Sequence, residues 1–164
     1  MSQRFTYALQ PVLATRQWEL DAAMQDLAQI NQAIAQGQQT LSQLQQEQTS
    51  VSQAWQAEAA QAEGLRRDRF ELVTRYMGEL TLQCQQQQTK LNEYQAQRNE
   101  LIERVDKAKR ALDAVEKHRT LTRAKFARQQ LNAEGKIADD QWSMLNGQWA
   151  MGQGDNGDKG GSQT

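Results

Sequence analysis

The chain has 164 residues, of which 38% are hydrophobic and one is proline, and its formal net charge is -1. A mean hydropathy of -0.88 reflects too little apolar side chain for a multilayer core, and no stretch approaches the roughly 18 apolar residues that span a bilayer. A pI near 5.9 lacks the basic footprint of a nucleic-acid-binding domain. The composition favours helices that pack along a narrow apolar stripe, because Gln, Ala, Leu, Arg and Glu are strong helix formers.

Helix one is predicted over about residues 9–65, where apolar side chains recur at alternating steps of three and four. Pro11 fits the first turn of a helix, in which its missing N–H costs nothing. Gly64 is typical of a helix end. The predicted seam is Leu13, Arg16, Leu20, Ala23, Leu27, Ile30, Ile34, Gly37, Leu41, Leu44, Gln48, Val51, Trp55, Glu58, Ala62 and Leu65. This spacing is the heptad repeat of a coiled coil.

A second stripe with the same spacing predicts helix two over about residues 70–133, after a turn at about 66–69 in which Asp68 is a suitable N-cap. Its predicted seam is Phe70, Val73, Met77, Leu80, Cys84, Gln87, Leu91, Tyr94, Arg98, Leu101, Val105, Ala108, Leu112, Val115, Arg119, Thr122 and Phe126. The two stripes are therefore expected to pack against each other.

The end of helix two is predicted at Asn132 to Gly135, and Asp139 or Asp140 can cap a short flanking helix at about 139–149. Residues 1–150 then form a single hairpin domain. Residues 151–164 are rich in Gly, Asp, Asn and Ser and lack apolar anchors, which predicts a disordered tail.

The predicted fold class is all-α, a long antiparallel two-helix coiled-coil hairpin. In an antiparallel pair each a position faces a d position, so facing residue numbers add to a constant, and 135 fits the two stripes. This register places Gln48 against Gln87 and gives Arg98 room beside Gly37. Arms of about 55 residues imply a rod on the order of 80 Å long. A disordered Gln-rich segment around Gln85–Gln88 is the alternative, and the sustained heptads argue against it.

Charge differs between the two predicted arms. The stretch from Gln17 to Glu63 contains six acidic residues and no Lys or Arg, whereas Arg98 to Arg128 contains ten basic and five acidic residues. The arms should therefore attract each other along the flanks of the seam.

Catalysis is poorly supported by the side chains that the chain offers. His118 is the only histidine, and it has no second His with which to build a metal or nucleophile site; Cys84 lies in the seam as a small hydrophobe. No glycine-rich loop precedes a helix to hold phosphate. The sequence predicts a protein that is not an enzyme and needs no metal or cofactor.

Cations gather near the open end of the predicted hairpin. The 135 register brings Arg16 opposite Arg119, and like charges in a seam invite an acidic partner. The neighbouring cations are Arg4, Arg123, Lys125 and Arg128. The alternative is that these long side chains extend their charged heads into water.

Two tryptophans lie outside the paired region. Trp142 and Trp149 are candidates to anchor a partner, because indoles are enriched at binding hot spots. The alternative is that they fold back on the hairpin.

Both ends of the chain resemble the FliJ/YscO family of type III export proteins. The opening match is Phe5, Tyr7, Leu9, Val12, Leu13 and Arg16. The start of helix two is similar at Gly64, Arg69, Phe70, Tyr76, Leu80 and the Gln-rich run to Leu91. The ending is similar at Glu116, Lys117, Arg123, Phe126 and Asp139.

The resemblance implies a bacterial, cytoplasmic stalk, peripheral at the inner-membrane export apparatus. Such proteins insert into the hexameric export ATPase and link it to the cytoplasmic part of the export gate membrane protein, and they also contact secretion chaperones. Neither nucleic-acid binding nor membrane insertion is expected, and the first residues lack the apolar region of a secretory signal. The alternatives are an escort chaperone for a secretion subunit and a generic coiled-coil scaffold.

The resemblance also suggests contact residues. Phe5 joins the cations above as an ATPase-binding candidate, so that this set is Arg4, Phe5, Arg16, Arg119, Arg123, Lys125 and Arg128. Tyr76 and Leu80 are the candidates for binding the export gate, the alternative being that Tyr76 covers the seam.

Overall fold

Two long helices pack against each other as a helical hairpin. The computed structural model of the protein describes residues 4–61 and 66–152, in which α1 spans Gln10–Gln61 and α2 spans Arg67–Gly152. Within these ranges there is no strand. The predicted all-α hairpin is therefore confirmed.

The helix starts follow the local sequence closely. A turn before α1 is closed by the amide of Gln10, which donates to the Tyr7 carbonyl at 3.1 Å, and Pro11 then occupies the first helical turn. The turn predicted at 66–69 is wrong, because α2 already begins at Arg67. Asp68 lies in the first turn of α2 rather than at its N-cap, where its carboxylate favours the positive end of the helix dipole. The predicted end of helix one at Gly64 lies outside the described residues.

The predicted break after residue 132 is also wrong, since α2 continues without interruption to Gly152. A lone helical glycine costs only about 1 kcal/mol relative to alanine, and no proline follows to stop the helix. Gly135 therefore lowers helix stability locally without ending the helix, and the predicted flanking helix at 139–149 is part of α2. Residues 151 and 152 belong to α2 as well, and the rest of the predicted tail lies outside the described residues.

The chain divides into two compact units. Unit 1 comprises Met1–Pro11 and Ala114–Thr164, and unit 2 comprises Val12–Asp113. α2 contributes residues to both.

In unit 2 the predicted heptad positions form the core. Every described seam position of α1 is buried or half-buried, and on α2 the exceptions are Phe70 and Arg98, which are exposed. The buried apolar side chains of this unit are Leu13, Ala23, Leu80, Leu91 and Leu112. The period of the apolar pattern thus identified the contacting faces correctly.

The register of unit 2 differs from the prediction by one heptad. Gly37 packs against Leu91 rather than beside Arg98, so facing numbers add to 128. The described helix ends, Gln61 and Arg67, give the same sum. A slip of seven residues keeps every a and d position in the seam, so the heptad pattern alone cannot distinguish 128 from 135.

Polar side chains also pair differently from the prediction. Gln48 does not face Gln87; its amide donates to Thr81 Oγ1 at 3.0 Å, and its carbonyl accepts from Cys84 Sγ at 3.7 Å. Gln87 donates through Nε2 to the backbone carbonyl of Gly37 at 3.2 Å. The missing side chain at residue 37 is what lets the Gln87 amide reach the α1 backbone.

The predicted attraction between the arms is present as two ion pairs. Asp26 of α1 pairs with Arg104 of α2 at 3.0 Å, and Glu58 pairs with Arg69 at 3.0 Å. All four side chains are substantially exposed, so each pair contributes only about 0.2–1 kcal/mol. The pairs favour this orientation of the arms, while apolar burial supplies most of the stability.

Within 4–61 and 66–152, neither helix has a segment long and apolar enough to cross a membrane.

Candidate functional site

The N-terminal segment of unit 1 is fixed to α2 by two aromatic contacts. The ring of Phe5 lies 5.4 Å from that of Phe126, centroid to centroid. Tyr7 is buried, and its hydroxyl donates to the Val115 carbonyl at 3.3 Å. The same hydroxyl lies 2.8 Å from Nδ1 of His118, a hydrogen bond in which the imidazole tautomer decides the donor. The segment therefore has a defined place on one face of α2.

An acid-free basic stretch of α2 lies beside this segment. The sequence from Lys117 to Ala133 contains five cations and no Asp or Glu. These five cations and Arg4 of the N-terminal segment are all exposed to solvent, and none of the six forms an ion pair with a described residue. The five on the stretch are Lys117, Arg119, Arg123, Lys125 and Arg128. Arg119 and Arg123 are one helical turn apart and so lie on the same face. This stretch therefore presents uncompensated positive charge.

Two other ATPase-binding candidates have different surroundings. Arg16 belongs to unit 2, where it pairs with Glu19 at 2.9 Å, so its charge is already compensated. The register that predicted Arg16 opposite Arg119 is wrong in unit 2. Phe5 is half-buried against Phe126, which assigns its ring to packing within unit 1.

The two gate-binding candidates differ sharply in accessibility. Tyr76 is 38% exposed, and its hydroxyl donates to the carboxylate of Glu47. That hydrogen bond, followed by slight burial and the negative charges of Glu47 and Glu79, raises the pKa of Tyr76. Leu80 is only 2% exposed, so it stabilises the seam of unit 2 and is not available on the surface.

The tryptophans near the end of α2 do not fold back. Trp142 is 67% exposed and Trp149 is 76% exposed. Neither indole has a partner among the described residues, so both remain available as anchors for another molecule.

The described side chains form no evident reaction centre. No group of three His, Cys, Asp or Glu side chains within residues 4–61 and 66–152 is placed to hold a metal ion. Cys84 is a half-buried thiol beside Gln48. His118 has a tyrosine hydroxyl as its neighbour, which positions the N-terminal segment.

Sequence reasoning missed two features of these surfaces. The pairing of Tyr7 with His118 joins residues 111 positions apart, and one of them precedes the first helix, so no helical period relates them. Leu72 is 66% exposed and lies one turn before Tyr76 on α2, which makes it part of the same surface. The sequence could have indicated an exposed Leu72, because this residue is apolar and lies outside the predicted seam.

Comparison with known proteins places the chain in a family. The family model described as the flagellar FliJ protein matches residues 5–148. A solved structure from Chlamydia trachomatis, described as a YscO homolog, aligns over 92% of this chain and 99% of its own, with 17% sequence identity and a TM-score of 0.46. The comparison with curated proteins gives no match. Because the family model spans most of the chain, the protein belongs to the FliJ family of type III export apparatus components.

Proposed function

We propose that the chain is the central stalk of a type III export apparatus, held in the hexameric export ATPase and linking that ATPase to the cytoplasmic part of the export gate. It acts in the cytoplasm, peripherally at the inner membrane. The observation that carries this proposal is the acid-free basic stretch from Lys117 to Ala133, in a chain that belongs to the FliJ family.

The basic stretch supports an acidic partner on physical grounds. Its cations are exposed, and the described residues supply no carboxylates to neutralise them. A partner with acidic loops gains attraction over the whole stretch, which raises the rate of association and orients the encounter. Arg119 and Arg123 are the residues best placed to contact the ATPase, and Arg4 extends the positive surface from the N-terminal segment.

A two-helix hairpin also suits mechanical coupling. Backbone hydrogen bonds run along α1 and α2, and their seam is buried or half-buried over most heptads. Helices of this kind resist bending better than loops do. Movements of ATPase subunits can therefore pass along the hairpin without hydrolysis by the chain itself.

The gate contact is assigned to the exposed surface formed by Leu72 and Tyr76. Leu80 is excluded from a direct contact as long as the hairpin stays closed, because its side chain is buried. Replacing Leu80 with alanine would also cost about 2–5 kcal/mol of stability, which would confuse any binding measurement. A fair test uses Tyr76→Ala with Leu72→Ala, and takes the exposed Leu82→Ala as its control.

A charge-reversal experiment tests the ATPase contact. Arg119→Glu with Arg123→Glu should weaken binding to the purified cognate ATPase by about tenfold or more, because favourable charge pairs become repulsive. The matched control is Lys90→Glu with Arg98→Glu, which makes the same change of net charge at two exposed cations of unit 2 that form no ion pair with a described residue. Far-ultraviolet circular dichroism should show equal helicity for both. Equal binding of the two variants would contradict the proposed contact.

The competing function is that of an escort chaperone for a secretion subunit, and a generic coiled-coil scaffold is the third. The exposed Trp142 and Trp149 favour some further protein contact, which an escort would also need. An escort should bind one export substrate in equal amounts and leave ATP hydrolysis unchanged. A scaffold should do neither.

A further inference from the structure

A second heptad stripe runs along α2 in unit 1, on the side away from the N-terminal segment. Its ten positions follow alternating steps of three and four, and all of them are exposed: Lys117, Leu121, Ala124, Arg128, Leu131, Gly135, Ala138, Trp142, Leu145 and Trp149. The face that contacts the N-terminal segment uses Val115, His118 and Phe126 instead. We call the exposed set the outer stripe. A continuous heptad stripe is what a helix presents to a partner helix.

We propose that the outer stripe binds the outer stripe of a second copy of this chain, with the two helices antiparallel. The argument is that the stripe is complementary to itself. The symmetric interface of such a pair places residue numbers that add to 266 opposite each other, and this register again joins every a position to a d position.

Side-chain size matches across this register. Ala124 lies opposite Trp142 of the second copy, and the small alanine leaves room for the indole. Leu131 lies opposite Gly135, where no atom comes within 4 Å of a Cβ built on the glycine. Leu121 meets Leu145. Large residues thus face small ones or fit in leucine pairs, as a packed helical interface requires.

Charges flanking the stripe match as well. Lys125 and Asp139 occupy the same flank of the heptad, and the antiparallel arrangement brings Lys125 of each copy beside Asp139 of the other. Lys117 lies opposite Trp149, a suitable pairing of an ammonium with an indole face. One contact opposes association, since Glu134 lies beside Glu134 of the second copy. That repulsion supplies a test of its own.

The expected dimer is weak. Each indole can bury roughly 150–250 Å², so two tryptophans and three leucines from each copy bring the total to on the order of 1,000 Å². This is the lower end for specific interfaces, which points to dissociation constants in the micromolar range. Lys117, Lys125 and Arg128 would be covered in the dimer, whereas Arg119 and Arg123 lie on another face. The inference does not depend on the proposed ATPase contact.

Sedimentation velocity of the purified full-length chain tests the proposal directly. Between about 1 and 200 µM, the mean mass should rise from that of one chain toward that of two. Trp142→Ala with Leu145→Ala should remove the rise over the whole range. The control is Trp18→Ala, which truncates an indole of unit 2 that is 70% exposed and should leave the rise intact. A wild-type chain that sediments as a single copy throughout would overturn the proposal and leave the outer stripe to another protein.

Charge variants test the orientation. Asp139→Lys should weaken the dimer about tenfold, because two attractive contacts become repulsive, and adding Lys125→Asp to the same chain should restore it. Glu134→Gln should strengthen it. A dimer that is unaffected by Asp139→Lys, or that is not restored by the exchange, would contradict the antiparallel register.

Discussion

Alanine at residue 37 is the sharpest probe of the arm register. A Cβ on Gly37 would lie 2.8 Å from Leu91 Cδ2 and 3.0 Å from Gln87 Nε2. Leu91 is 3% exposed and has little space to retreat, so overpacking should cost about 1–3 kcal/mol. Displacing the Gln87 amide from the Gly37 carbonyl should cost about 1 kcal/mol more. Against this stands a gain of about 1 kcal/mol in helix propensity, which offsets the hydrogen-bond term, so Gly37→Ala should destabilise unit 2 by about 1–3 kcal/mol.

The matched control is Gly78→Ala, on α2 in the same unit. Nothing lies within 4 Å of a Cβ built at Gly78, so only the propensity gain operates there and the variant should be about 1 kcal/mol more stable. Urea unfolding followed by circular dichroism measures both changes as opposite shifts of the midpoint at equal slope. When the two changes are combined, Leu91→Ala should remove the overpacking part of the penalty at residue 37. If Gly37→Ala stabilised the chain as much as Gly78→Ala does, residue 37 would not face Leu91, and the register of unit 2 would be refuted.

Two further predictions concern single side chains. The hydrogen bond from Tyr76 to Glu47 raises the pKa of Tyr76, so the stability that this bond gives to unit 2 is fully present below the ordinary tyrosine pKa of 10.0 and is lost as pH rises through the higher folded value. Tyr76→Phe should therefore be less stable than wild type near neutral pH, and its ultraviolet titration should lack one tyrosinate step that wild type shows above pH 10.0. A titration unchanged by the substitution would argue against that bond. Tyr7→Phe deletes the hydroxyl that bonds to the Val115 carbonyl and to Nδ1 of His118, which should cost about 1 kcal/mol and raise amide hydrogen exchange in the N-terminal segment about fivefold. Exchange at the wild-type rate would show that Tyr7 does not hold the segment.

The sequence was sufficient for the fold class and for the contacting faces of both helices. Apolar positions such as Leu13 and Leu80 recur with a heptad period, and burial in a two-helix pair follows that period directly. Register was harder, because a slip of one heptad preserves all a and d positions. The described helix ends, Gln61 and Arg67, distinguish the two registers, because their numbers add to 128 and not to 135.

Helix continuation past Gly135 escaped prediction for an energetic reason. A glycine predicts a helix end where the residues after it do not favour helix. It predicts an end only weakly where good helix formers continue on both sides. Trp142 and Trp149 are exposed, and their anchoring role stays a prediction. The burial of Leu80 and the pairing of Arg16 with Glu19 depend on side-chain geometry that residue spacing alone does not contain.

The stalk proposal is tested most directly by the rate of ATP hydrolysis of the cognate export ATPase, measured as purified chain is added in increasing proportion. A stalk should accelerate hydrolysis at substoichiometric amounts and saturate near one chain for each hexamer, and the Arg119→Glu, Arg123→Glu variant should need much higher concentrations for the same effect. A rate that stays constant up to equal amounts of chain and ATPase, under conditions in which the two bind, would contradict the account.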